Sequence, residues 1–216
     1  MYEEVPMEGP SARLREIHAA LGAVAAIAAA VCLLALLAAA PARAATTVTG
    51  GSVTFVTDPA QSEAMFTGGI APLASSPATL RLTTSAWRFR FPIAGGRIDL
   101  LWSTGTVNAR GGLDLWGRET MSAWTVLSFS KLVATVGKDS ELTGVDAQGK
   151  RRVLGTLDDV DATMKLSTSG GHRWLTVNDV AVHMSSWLRG ELTEAFPRYE
   201  PAGTLLGTVT MEARLD

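Results

Sequence analysis

Cysteine is almost missing from this chain of 216 residues: Cys32 is the only one, and it sits inside an apolar run near the N-terminus. A lone thiol forms no internal disulfide and builds no zinc–thiolate cluster, so a folded domain here must be held by its core. Tyrosine is nearly as scarce, with Tyr2 and Tyr199 alone. Histidine is limited to His18, His172 and His183. No G-x-S-x-G, H-E-x-x-H or S-x-x-K pattern stands in a setting that could use it, so catalysis is not expected. An excess of either charge is lacking too. Of 19 Lys and Arg, 16 follow residue 44, against 17 of the 21 Asp and Glu. Nucleic-acid binding calls for a basic face, and this balance offers none.

Long hydrophobic runs are also few; there is one. Residues 19–40, AALGAVAAIAAAVCLLALLAAA, follow Arg13, Arg15 and His18, and precede Pro41. Ala42-Arg43-Ala44 fits the small-x-small pattern of signal peptidase, which predicts a secretory signal over 1–44 with cleavage after Ala44. The run also has the roughly 20 residues that span a bilayer, so a retained anchor is the rival reading, and the membrane is met only through this segment. Leu14 separates the two arginines, so no twin-arginine pair forms and the general secretory route is expected. Ala29-Ala30-Val31 does not suit lipid attachment at Cys32.

The remaining residues suffice for one domain with a real core. Residues 45–85 read as a Ser/Thr/Pro/Gly-rich lead-in with one short strand around Val53 and Phe55, and "PLASSPAT" reads as loop. From 86 to 216 the period becomes two. In "AWRFRFP", Trp87, Phe89 and Phe91 share one face and Arg88 and Arg90 the other, with Pro92 closing the strand or marking an edge. "WTVLSFSKLVATV" alternates over a longer run. "DAQG" and "SGG" read as hairpin loops, and Gly95-Gly96 and Gly111-Gly112 as strand-end turns rather than a phosphate cradle. The final strand points Val209, Met211 and Ala213 inward. A single helix is predicted in "SSWLRGELTEAF", capped by Ser185 or Ser186, striped by Leu188, Leu192 and Ala195, and stopped by Pro197. The predicted fold is mainly β: an antiparallel sandwich or barrel-like sheet with one short packed helix near the C-terminus.

The order of pieces "FPIAGGRIDLLWSTGTVNARGGLDL", "LSFSKLVATV", "GKRRVLGTLD", a short helix and "PAGTLLGTVTMEA" resembles the HtaA-like (Hta-type) domains of actinobacterial secreted and envelope proteins, over roughly residues 87–212. The resemblance implies haem as a possible cofactor, held by a tyrosine near the start of the domain and supported by a histidine. This chain has no tyrosine between Tyr2 and Tyr199, so the ligand tyrosine is not carried over. His183, late in "VAVHM", is the counterpart that the resemblance offers for the supporting histidine, and Tyr199 is the remaining tyrosine, out of the expected place.

Each candidate also has a plainer reading. His172 falls in a turn and reads as solvated; His183 suits a hydrogen-bonded structural role; Tyr199 suits packing. Asp158, Asp159 and Asp161 offer oxygens to calcium but lack the glycine and distal glutamate of a calcium loop. The six tryptophans either fill the core or line a pocket. The first functional reading is therefore an exported, non-catalytic β-domain that binds an envelope protein, a polymer or an apolar ligand, without a cofactor. Haem binding or relay is the alternative, and carriage of an apolar ligand in a barrel mouth the second alternative.

Overall fold

"TTVTGGSVTFVT" forms one strand of 12 residues, β1 (Thr46–Thr57), that buries Val48, Val53 and Phe55. The structure, a computed structural model, describes residues 45–101, 103–118 and 124–216, without the side chains of 161 and 162. The predicted signal, with Ala42, Ala44 and the apolar run, lies outside the described residues. Among these, no helix is long and apolar enough to cross a membrane.

After β1 come helix α1 (Pro59–Thr67), then β2 (Ala71–Ser75), β3 (Thr79–Leu82), β4 (Trp87–Asp99), β5 (Thr104–Ala109) and β6 (Gly112–Arg118). Strands β7 (Trp124–Val136), β8 (Glu141–Val145) and β9 (Arg151–Leu157) follow, then a single turn, α2 (Val160–Thr163). The chain ends with β10 (Met164–Ser169), β11 (His172–Met184), α3 (Ser186–Ala195) and β12 (Leu205–Leu215). Antiparallel pairing runs β1-β4-β5-β7-β8-β9-β11-β12 and back to β1, which closes an eight-stranded barrel. The long strands outrun this ring. β3 extends beside the first half of β4, β6 and β2 beside the first half of β7, and β10 beside the first half of β11. Of the sandwich and the barrel, the barrel is what forms.

The alternating faces are where the period places them. Trp87, Phe89 and Phe91 are buried and Arg88 and Arg90 exposed, and the rings of Phe55, Phe89 and Phe91 stack at 6.1–6.3 Å. Val209, Met211 and Ala213 point inward. Helix α3 is capped by the Ser185 hydroxyl, which accepts from Leu188 N at 3.0 Å, and it buries Leu188 and Leu192 as the stripe predicts.

Four expectations need correction. "PLASSPAT" is not a loop: β2 and the start of β3 occupy it. A second true helix, α1, begins at Asp58, whose carboxylate accepts from Ala60 N and Gln61 N at 3.0 and 3.2 Å, with Pro59 in the first turn. It escapes an amphipathic search because it buries Gln61 and Ser62 beside Met65 and leaves Phe66 exposed. Pro92 and Gly95-Gly96 lie inside β4, not at its end. The ladder to β5 shifts register between Ile93 and Gly95, so this is a bulge rather than a turn. In β7, Lys131 adopts φ 48° at a second register shift. Phe129 and Leu132 therefore both point inward, and the predicted strict alternation fails there. The Gly111, Asp146–Gly149 and Gly170-Gly171 turns are as read, with positive φ at Gly111, Gly149, Gly170 and Gly171.

Residues 45–216 make up a unit with its own apolar core, from Val48 in β1 to Leu215 in β12, as an independently folding domain requires.

Candidate binding surfaces

The barrel interior is the first place a ligand could go. Phe55, Phe89, Phe91, Phe129, Leu132 and Leu192 help to fill it, and the gap between the side chains measures about 70 Å³. Organic ligands occupy sites of roughly 300–1,000 Å³. The interior is a packed core.

The two residues that the haem alternative names differ in burial and in partners. His183 follows buried Val182 on β11 and so projects from the outer face. Its Nε2 lies 2.7 Å from Asp158 Oδ2 and its Nδ1 lies 3.4 Å from Thr204 Oγ1. Both ring nitrogens have a polar partner. Tyr199 is in the core, 3% exposed, against the Cα side of Gly68. Its phenol oxygen accepts a hydrogen bond from Gln61 Nε2, and burial pushes its pKa up to about 12. Iron takes tyrosine as the phenolate, the form that this environment disfavours. His172 is exposed at its turn. The carboxylate of Asp158 is directed to His183, Asp159 is exposed, and the side chain of Asp161 lies outside the described residues. No group of three metal-ligating side chains occurs among the described residues.

A different surface has the make-up of a binding site. In the β2-β6-β7 extension, directly opposed residues share a face, so Ala71, Trp116 and Val126 form one outward row. Arg118 and Trp124 form the next, and Leu73, Asp114 and Ser128 a third. Leu115 and Gly117, which flank Trp116, point into the core. Gly117 has no room for a Cβ because the Phe196 ring lies about 2.5 Å from where it would sit. Trp124 is 59% exposed, Leu73 50% and Trp116 37%. The two indoles meet edge to face, 6.5 Å apart at 65°, and the Arg118 guanidinium lies 4.6 Å over the Trp124 ring. Ser75 Oγ donates to Asp114 Oδ2 at 2.8 Å and bounds the face on its polar side. Phe66, 77% exposed, stands at the end of α1, three residues before Gly69, whose carbonyl lies beside Gly117.

Folded domains expose single apolar residues freely, whereas exposed indoles grouped with aliphatic neighbours on one face make a candidate interaction surface. The alternation of "LDLWGR" carries the signal: Trp116 has the opposite parity to buried Leu115. Composition alone could not sort the tryptophans. Trp87 is buried, Trp174 and Trp187 are half-buried, and Trp116 and Trp124 face outward.

No protein-family model and no curated protein sequence matches this chain. Solved structures do. The C-terminal domain of HtaA from Corynebacterium glutamicum is 18% identical, with a TM-score of 0.52 over 79% of this chain and 99% of that one. The heme binding protein HtaB from Corynebacterium glutamicum is 13% identical, with a TM-score of 0.46 over 79% of this chain and 95% of that one. In fold, residues 45–216 form an HtaA-like domain.

Proposed function

We propose that this chain is an exported, non-catalytic binding protein of the cell envelope that takes its ligand on the outside of the barrel, at the aromatic face of β2-β6-β7. The observation that carries the reading is the exposed Trp116–Trp124 pair with Arg118 stacked on it. Two indole faces and an aliphatic border suit a flat, apolar molecule, and the guanidinium suits an anionic group at its rim. The packed interior argues against a ligand carried inside the barrel. Export rests on the apolar run and the Ala42-Arg43-Ala44 site.

Haem is the first ligand of this class to test, on the strength of the sequence resemblance to Hta-type domains. The residues here do not suit axial ligation: an iron at His183 Nε2 would displace the Asp158 carboxylate, and Tyr199 is buried as the neutral phenol. The reading is therefore adsorption of the porphyrin plane on the indoles. Hemin added to residues 45–216 should quench tryptophan fluorescence saturably, and Trp116→Ala with Trp124→Ala should abolish the effect. Quenching that survives the double substitution would contradict the reading.

A further inference from the structure

The outward face of the β3-β4-β1-β12 sheet holds a second surface, which shares no residue with the aromatic face. An open groove of about 610 Å³ is lined by Arg81, Arg88 and Arg90 together with Ser52, Thr54, Thr79, Thr210 and Glu212. That is the volume range of small-molecule sites, roughly 300–1,000 Å³.

The arginines are arranged at an energetic cost. Arg81 and Arg88 sit directly opposite each other in the β3–β4 ladder, and Thr79 opposes Arg90. Directly opposed Cβ atoms are about 4.5–5.5 Å apart, and like charges so placed destabilise a sheet. Arg88 and Arg90 are two residues apart on one face, about 7 Å along the strand. None of the three guanidiniums has a side-chain hydrogen bond or ion pair among the described residues. Glu212 is the one carboxylate in the groove, against three guanidiniums. Three guanidinium forks lining one groove, with a single carboxylate among them, suit a phosphate group, which arginine grips in a bidentate manner. The hydroxyls follow the same line. Thr79 and Thr54 flank Arg90 on the neighbouring strands, and Thr210 lies opposite Thr54 on β12. A row of hydroxyls beside a phosphate grip matches a polyhydroxylated body.

We infer that this groove is a binding site for a phosphorylated saccharide, with Arg81, Arg88 and Arg90 on the phosphate and the Ser/Thr row on the sugar. Glu212 opposes the anion and so sets an upper limit on affinity.

The test is titration of residues 45–216 by calorimetry with glucose 1-phosphate, inorganic phosphate, glucose and a short single-stranded oligonucleotide. Saturable binding of glucose 1-phosphate is expected, tighter than inorganic phosphate, with none for glucose. Arg88→Gln and Arg90→Gln, both exposed, should each weaken it about tenfold or more, and added salt should weaken it further. Glu212→Gln should tighten it severalfold, a gain that a misfolded variant does not produce. Absence of saturable binding to both phosphates, or affinity indifferent to the arginine substitutions, would overturn the site. Equal affinity for inorganic phosphate and glucose 1-phosphate, or preference for the oligonucleotide, would overturn the saccharide assignment.

Discussion

Gln61, in the first turn of α1, donates its side-chain amide to the phenol oxygen of Tyr199, 138 residues further along the chain. The pair ties α1 to the segment after α3, and both side chains are buried. Among the described residues Gln61 Oε1 has no hydrogen-bond partner, so the amide depends on the phenol for what satisfaction it has. Tyr199→Phe should therefore destabilise the domain by about 1–3 kcal/mol in urea unfolding. Gln61→Met in the Tyr199→Phe background should restore part of that loss, because the orphaned amide goes too. Hemin quenching should be unaffected by either change.

The same tyrosine predicts an alkaline limit. Its folded pKa is raised to about 12 from an ordinary value of 10.0. A group with a raised folded pKa contributes stability that is complete below the unfolded value and lost as pH rises through the folded one. Thermal stability should hold to about pH 10 and fall between there and about 12, with the loss reduced in Tyr199→Phe. Tyrosinate absorbance reads this directly, since Tyr199 is the only tyrosine after Tyr2.

At the acid end the corresponding group is Asp146. Its Oδ2 accepts from Arg152 Nε at 2.9 Å, and its Oδ1 accepts from Gln148 N and Lys150 N at 3.0 and 2.8 Å. The Arg152 hydrogen bond, above all, holds its carboxyl below the ordinary value. Stability from this group is present above the unfolded carboxylate pKa and lost as pH falls through the folded one. Asp146→Asn should lower the melting temperature near neutral pH and flatten its decline in acid. Arg152 also stacks over Trp187, which meets Phe129 edge to face, so the change loosens the seat of α3 as well.

One core position and one strand glycine test the barrel itself. Phe129, 3% exposed, packs at the β7 bulge, and Phe129→Ala should cost about 3–5 kcal/mol. Gly51 has φ +118° one residue past the β1 bulge, and a Cβ there would run into the Glu212 carbonyl. Gly51→Ala should cost about 1–3 kcal/mol for the backbone strain, measured by the same unfolding.

The sequence was most legible where burial alone decides the face. Trp87, Phe89 and Phe91, the Leu188–Leu192 stripe and the last strand need only the period of the chain. Bulges break that logic. Lys131 at φ 48° flips the parity between Phe129 and Leu132, and nothing in "SFSKLV" announces a positive φ at lysine. Helix α1 is not legible in the sequence for another reason: it is held by its Asp58 cap, Pro59 and the Gln61–Tyr199 contact rather than by an apolar stripe. Barrel closure depends on β7 pairing with β8, a tertiary fact with no local signature. Of the site, the parity of Trp116 was readable, but its meeting with Trp124 depends on the β6–β7 register.

The central claim is that the ligand sits on the indole face and not on His183 or Tyr199. Hemin titration of residues 45–216, followed by tryptophan quenching and the Soret band together, tests it most directly. The account predicts saturable binding that survives His183→Ala and Tyr199→Phe and disappears with Trp116→Ala and Trp124→Ala. A sharp, shifted Soret band lost in His183→Ala and indifferent to the two tryptophans would contradict it.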